Sequence, residues 1–304
     1  MTSASLFLFP LKCRWKYLDE KMLLFCAKVC RTQTDVNSPS TVSFADIESS
    51  MYKRRRLNQP ALPTTVDDVD GIIAASRYAT TTDGPFYRGC VRANDDTNGT
   101  ACVFASPKQL SILSSAKSAF MDGTFFTVPR LFYQLFTIFV TVQCRVFPVC
   151  FVLMTRKTKV MYKAVFEHIK TLVPNFEPES VMADYEDASV QALTEVFDNG
   201  LVVKRCWFHF AKAVIKRVKT VGLAIAFRND ATVRKCIKGL TCLPLLPHDK
   251  IGETLDLLFQ YATAVPAQYK DNVVTMFLYI RRRWIECSSV GTERLFVKGI
   301  NGAF

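Results

Sequence analysis

The sequence predicts an α/β fold: a mixed sheet flanked by helices, with a helical insertion or appendage towards the C-terminus. Three observations carry this. Between Ala119 and Val221, short runs rich in Phe, Val and Thr alternate with segments whose apolar residues recur every three to four positions. The first three runs are divided by short polar breaks, as in hairpins, and the later ones by helical segments. From about Ala224 to Trp284 the strand pattern fades and helical spacing remains. With 304 residues, 49% of them hydrophobic, the chain can build one large domain with an appendage, or two domains.

In order along the chain, residues 1–50 are a leader unlike the rest. Cys13, Trp15, Cys26 and Cys30 suggest a small module, but no histidine lies nearby to complete a zinc site. Residues 51–103 read as a basic linker and N-terminal extension. Its run Lys53-Arg54-Arg55-Arg56 is a nuclear-localisation or phosphate-contacting patch, or equally a solvated charge run. Turn chemistry over Asn94–Gly99 separates strands expected at Phe86–Ala93 and Ala101–Ala105. Ser106-Pro107-Lys108 then opens a short helix with Leu110 and Leu113 on one face.

Residues 104–222 form the most legible region. Strands are expected at 119–125, 132–142 and 145–154. A helix at 159–172 follows, with Tyr162, Val165, Phe166, Ile169 and Leu172 as its stripe. A strand over 180–183 leads to a helix over 186–197. A strand over 201–206 leads to a helix over 208–218, whose expected inner stripe is Phe208, Ala211, Ile215 and Val218. The order is β-β-β-α-β-α-β-α. Short turns need antiparallel neighbours and helical crossovers need parallel ones, so the sheet is mixed and ribonuclease-H-like. Residues 223–304 carry three helical patterns, ending on Val273, Phe277, Ile280 and Trp284. No closing element is visible before Phe304, so the core is expected to be incomplete.

The net charge of +12 favours a polyanionic partner, nucleic acid first and an acidic membrane surface second. Eleven scattered cysteines without a CxxC pair read as reduced thiols of an intracellular protein. The apolar start Leu6–Leu11 lacks a preceding positive charge, so a signal peptide is not expected. Leu131–Met154 is long and apolar, but Gln134, Gln143, Arg145 and Pro148 and its Phe, Thr and Val content fit buried strands. No membrane association is expected.

Two aspartates stand at strand ends. Asp122 lies in Phe-Met-Asp-Gly-Thr-Phe and Asp184 in Val-Met-Ala-Asp-Tyr-Glu. Carboxylates on neighbouring strands can share hard divalent cations, and paired cations cleave phosphodiester bonds. The plainer readings are an Asp-Gly turn at Asp122 and a helix N-cap at Asp184. Cys206 and His209 have ligand-like spacing but supply only two of four zinc ligands, so zinc is not expected and a local Cys–His contact is. Lys212, Lys216 and Lys219 recur along one helix face beside Arg217, and Arg281-Arg282-Arg283 makes a second patch. Both suit a DNA backbone or an ordinary solvated face.

As an ordered set, several motifs resemble the transposase domain of Mutator-like elements. They are Asp122-Gly123-Thr124-Phe125, Pro129, Phe132, Gln134, Pro148, Tyr162, Phe166, Ala183-Asp184-Tyr185-Glu186 and Cys206-Trp207-Phe208-His209-Phe210. The resemblance is strong over Phe104–Val221 and weak onward to Trp284. The leading segment, with Trp15 and Cys26-Ala27-Lys28-Val29, is faintly similar to a FLYWCH-type zinc finger whose closing histidines are absent. The resemblance implies a nuclear DDE transposase that takes Mg²⁺ or Mn²⁺ on Asp122 and Asp184. It would act on double-stranded DNA at element ends, as a monomer or a homo-oligomer. Cys206 and His209 would match the family's Cys-x-x-His. The third acid would follow an asparagine-rich stretch beginning near or beyond Asn301, and Glu286 and Glu293 stand in a different context. Two readings follow: a transposase fragment or derivative for metal-dependent DNA strand cleavage and transfer, inactive if the third acid is lost, or a domesticated, non-catalytic nuclear DNA-binding or regulatory protein.

Overall fold

The computed structural model describes residues 44–57, 63–94, 99–125, 128–197 and 200–286. The leader module around Trp15 and Cys26, and Glu293, lie outside these residues. The chain divides into two compact units, Met1–Pro60 and Ala61–Phe304. In the first, helix α1 (Phe44–Leu57) carries the Lys53–Arg56 run, with Lys53 and Arg54 exposed. The side chains of Arg55 and Arg56 lie outside the description.

The second unit opens with helix α2 (Asp67–Ala74) and a two-residue ladder of β1 (Thr80–Thr81) and β2 (Gly84–Pro85). Its sheet is built from β3 (Tyr87–Arg92), β4 (Thr100–Phe104), β5 (Ser118–Thr124), β6 (Gln134–Val142), β7 (Arg145–Met154), β8 (Ser180–Ala183) and β9 (Val202–Arg205). The spatial order is β3-β4-β7-β6-β5-β8-β9. The pairs from β3 to β5 are antiparallel, and β5-β8 and β8-β9 are parallel. A meander with its first strand in the centre, extended by two parallel strands, is the ribonuclease-H-like arrangement. Strands β3 and β4 widen it beyond the β7 edge, drawing residues 87–104 into the same sheet.

Local chemistry explains the meander. Helix α3 (Pro107–Ser114) starts with a capping box between Ser106 and Gln109 and with proline in its first turn, which needs no donor there. The Gln109 side-chain amide also donates to the Pro148 carbonyl at 3.1 Å. Pro148 sits in a central strand, where it costs a ladder bond. The β6–β7 register shifts beside it, between Ile138 and Phe139, and the bulge accommodates it. Gln143 and Cys144 close the β6–β7 hairpin with φ of 48° and 61°. Two positive φ values mark the twist-matched two-residue turn, although neither residue is one that adopts it readily.

Helices α4 (Lys159–Leu172) and α5 (Asp187–Val196) cross over between the parallel strands. Tyr162, Val165, Phe166 and Ile169 of α4 and Leu193 of α5 pack with Met121, Phe136, Ile138 and Val181 of the sheet. Each buried side chain of this size contributes about 1.5–3 kcal/mol, so this layer fixes the strand ends. Helix α6 (Trp207–Thr220) leads into α7 (Ala224–Asn229), α8 (Ala231–Cys242), α9 (His248–Tyr261), α10 (Lys270–Ile280) and a π-turn over Arg281–Ile285. These build a second core around Phe210, Val214, Val218, Ile237, Phe277 and Trp284.

The inner stripe of α6 differs from expectation. Phe208 is 62% exposed, while Phe210, Val214 and Val218 are buried. The helix carries two overlapping apolar stripes, and the appendage selects one of them: Trp284 packs edge-on to Phe210, with ring centres 4.9 Å apart. Among the described residues, no helix is long and apolar enough to cross a membrane. Residues 134–154 form β6, β7 and their turn.

Candidate active site

Strand β5 pairs in parallel with β8 in the register Ala119–Val181 and Phe120–Met182. Continuing that register by two residues sets Asp122 beside Asp184. Asp184 is the first residue past β8, and its charge acts on Asp122, so the two carboxylates lie within electrostatic reach of each other at the ends of neighbouring strands. Asp122 is not in a turn: β5 continues through Thr124, with Asp122 opposite Thr137 and Gly123 opposite Phe136 in β6. Asp184 is not the helix N-cap, which is Glu186; its Oδ1 instead accepts the Glu186 backbone N–H at 3.0 Å, closing an Asx-type turn before α5.

Electrostatics tie the two acids together. Burial raises the Asp122 pKa above the ordinary carboxyl value, and the charge of Asp184 adds to the rise. The His209 ring offsets part of it, as Nε2 stands 3.5 Å from Asp122 Oδ1. His209 holds its proton more tightly than usual, chiefly through the Cys206 side chain, with smaller contributions from Asp122 and Asp184. Its Nδ1 is buried without a well-formed hydrogen bond. Burial would raise the Cys206 thiol, but hydrogen bonding to His209 overrides it and the net shift is downward. Cys206 caps the sheet ladder with its N–H on the Ala183 carbonyl at 2.9 Å, which brings the Cys206–His209 corner to the end of β8.

Four further residues hold Asp184 in place, and none of them stood out as a site residue in the sequence. Arg205, only 5% exposed, donates to the Asp184 carbonyl at 2.9 Å and to Asp187 Oδ1 at 3.1 Å. Glu186 accepts from the Tyr162 hydroxyl at 2.9 Å, and Tyr162 in turn accepts from the Gln134 amide at 2.6 Å. Burial raises the Glu186 pKa, while Tyr162 and Lys157, the latter 3.4 Å away, pull it back. Gly123 makes room for this network, since a Cβ there would lie 3.1 Å from Gln134 Oε1. The available signals were a glutamine inside an apolar run, a tyrosine on a core stripe, and an arginine ending a strand.

The basic candidates fall into different settings. Lys212, Lys216 and Lys219 are exposed along α6, and the Lys212 charge is felt at Asp122. Arg217 instead turns onto the Tyr279 ring, 5.4 Å from its centre, with its Nε buried. Arg281 is ion-paired with Asp256, while Arg282 and Arg283 are exposed. Glu286 is exposed just beyond the π-turn.

The donor set suits a hard divalent cation that is completed by substrate. Two partly buried carboxylates lie within electrostatic reach of each other, and the elevated Asp122 pKa is a cost that a bound cation would relieve. Such an ion needs only one or two carboxylates when water and phosphate supply the rest. Among the described residues no group of three His, Cys, Asp or Glu side chains is arranged to hold a metal.

A search of curated proteins finds no match. Residues 118–213 match the family model of the MULE transposase domain. The matched stretch runs from the start of β5 into α6. It contains both aspartates, the Gln134–Tyr162–Glu186 network, Arg205 and the Cys206–His209 pair. Over residues 118–213 the chain carries a MULE transposase domain, a transposase-family module set in a ribonuclease-H-like sheet.

Proposed function

We propose that this protein carries out metal-dependent cleavage and strand transfer at DNA ends, with Asp122 and Asp184 as the acids that hold Mg²⁺ or Mn²⁺. The observation that supports the reading most directly is the parallel β5–β8 pairing, which brings the chain at Asp122 beside the turn at Asp184, whose charge Asp122 feels. A divalent ion held there supplies Lewis acidity and eases deprotonation of an attacking hydroxyl. The protein's own residues do the remainder. Asp122 and Asp184 would hold that ion beside the reacting phosphate. Arg205 and the Tyr162–Glu186 pair keep the Asp184 turn from rotating. His209 holds a proton beside Asp122. Lys212, Lys216 and Lys219 contact the backbone of duplex DNA leading away from the site. The reading extends to action in the nucleus, served by the Lys53–Arg56 run, on element ends, by a chain that can associate with a second copy.

The test is nicking of supercoiled plasmid by the full chain with Mg²⁺ or Mn²⁺. Asp122→Asn and Asp184→Asn should each reduce nicking at least 100-fold while leaving DNA binding intact. Equal nicking by the parent and both variants would refute the assignment. A second reading is a DNA-binding protein that kept the scaffold without the chemistry. Salt-sensitive DNA binding with no nicking by a folded full chain would select it.

A further inference from the structure

Immediately beyond Asp122 the sheet ends in two exposed aromatic rings. Phe125 follows β5 and is 43% exposed, and Tyr133 precedes β6 and is 50% exposed. Their ring centres lie 5.6 Å apart at an interplanar angle of 76°. In an edge-to-face pair, the ring that presents its edge keeps both of its faces uncovered by its partner. Neither ring belongs to either buried core.

The surroundings are cationic. Lys157 Nζ stands 5.8 Å from the centre of the Tyr133 ring, and Arg130 is exposed on the connection between the two rings. Lys157 also reaches the Glu186 carboxylate, whose backbone N–H is held by Asp184. A chain of direct contacts therefore runs from Tyr133 through Lys157 and Glu186 to Asp184. Phe125 follows the last residue of β5, and its ring lies on the Gly123 side of the strand, 3.8 Å from where a Gly123 Cβ would stand, so the aromatic pair sits at the end of β5 just past the acids.

Exposed aromatic faces beside cations, in a chain of net charge +12, fit one class of ligand. Nucleobases stack on aromatic rings whatever their sequence, and the adjoining cations take the phosphates. A paired base within a duplex has no free face to offer, so the ligand is an unpaired one. We propose that Phe125 and Tyr133, with Lys157, form a stacking site for an unpaired nucleobase at the end of β5, beside the candidate site at Asp122 and Asp184. The proposal rests on the reading that DNA is the substrate. It adds a preference for frayed, flipped or overhanging ends that the acids alone would not create.

The experiment uses the full chain carrying Asp122→Asn, without divalent ions, so that neither cleavage nor metal binding affects the readout. The probes are a blunt duplex and the same duplex with a short single-stranded overhang containing 2-aminopurine. Stacking quenches the 2-aminopurine fluorescence. The expected result is quenching on the overhang probe, and a loss of roughly tenfold or more in affinity for it in Phe125→Ala and Tyr133→Leu. Blunt-duplex affinity should stay within about twofold, and Tyr133→Phe should keep the quenching. Unfolding curves matching the parent would confirm that the variants fold.

Equal losses on both probes, or no loss on either, would overturn the proposal, as would failure of the full chain to bind either probe. So would variants that lose self-association in sedimentation while retaining overhang affinity, since the rings would then be a contact between copies. A parent chain that never nicks plasmid but shows this probe discrimination would retire the catalytic reading and leave the stacking site standing.

Discussion

Arg205 offers the sharpest test of how the Asp184 turn is held. It is almost fully buried, spans from β9 to the β8–α5 turn, and lies 5.8 Å from the centre of the Tyr185 ring. Arg205→Met keeps the length of the side chain and removes two charge-assisted hydrogen bonds, each worth about 1.5–3 kcal/mol. Asp187 keeps 34% of its side chain exposed and can regain water, which places that bond at the lower end. Apolar contacts of the methionine offset a further part. The expected net loss is about 2–4 kcal/mol, or roughly 5–15 °C in Tm for a unit of this size. Urea unfolding followed by far-UV circular dichroism measures it. Arg205→Lys should lose about half as much, because lysine can meet only one of the two acceptors well. In a double-mutant cycle, Asp187→Asn should show coupling of about 1 kcal/mol or more with Arg205→Met. A loss under about 0.5 kcal/mol in Arg205→Met, or zero coupling, would refute the idea that this guanidinium fixes the turn.

Three other expectations follow from the same geometry. The Asp122 pKa is raised in the folded state, so its contribution to stability is present below the unfolded carboxyl pKa and lost as pH rises through the folded value. Asp122→Asn should therefore unfold at a higher temperature than the parent at pH 7, by an amount of order 1 kcal/mol, with the gap closing towards pH 4; an equal or lower Tm at pH 7 would contradict the burial argument. At the β6–β7 hairpin, Gln143→Asn with Cys144→Gly suits two positive φ values and should stabilise by about 0.5–1 kcal/mol in chemical denaturation. Replacing Lys212, Lys216 and Lys219 together by alanine should lower the slope of log binding constant against log salt by roughly 3, measured by anisotropy with duplex DNA; an unchanged slope would move the backbone contacts elsewhere.

Most of the sheet was legible because its strands announce themselves locally. Helix 159–172 and strands 145–154 and 180–183 fall where the sequence places them, bounded by Thr158 as a cap, by the hairpin turn and by polar residues. What was not legible depends on distant partners. The joining of β4 to β7 pairs Ala101 with Met154 across 53 positions, and nothing in residues 100–104 specifies that neighbour. The phase of α6 failed for a related reason. Phe208 and Phe210 are equally apolar, and the packing of the helical appendage, Trp284 included, buries Phe210.

The same division runs through the site. Asp122 and Asp184 were visible because a carboxylate at the end of an apolar strand breaks the pattern and needs an explanation. The contacts that support them were not, although Gln134, Tyr162 and Glu186 belong to the motifs that carry the family resemblance. Tyr162 completes an amphipathic stripe, and its hydroxyl matters only because Gln134 and Glu186, 28 and 24 positions away, meet it. Arg205 reads as a solvated strand terminus until the parallel β8–β9 pairing draws it over the Asp184 turn. The acids thus carry a local signature and their supports a topological one. That asymmetry explains why the two aspartates stand out in the sequence as candidates, whereas the contacts made by Gln134, Tyr162, Glu186 and Arg205 emerge only once the strand order is known.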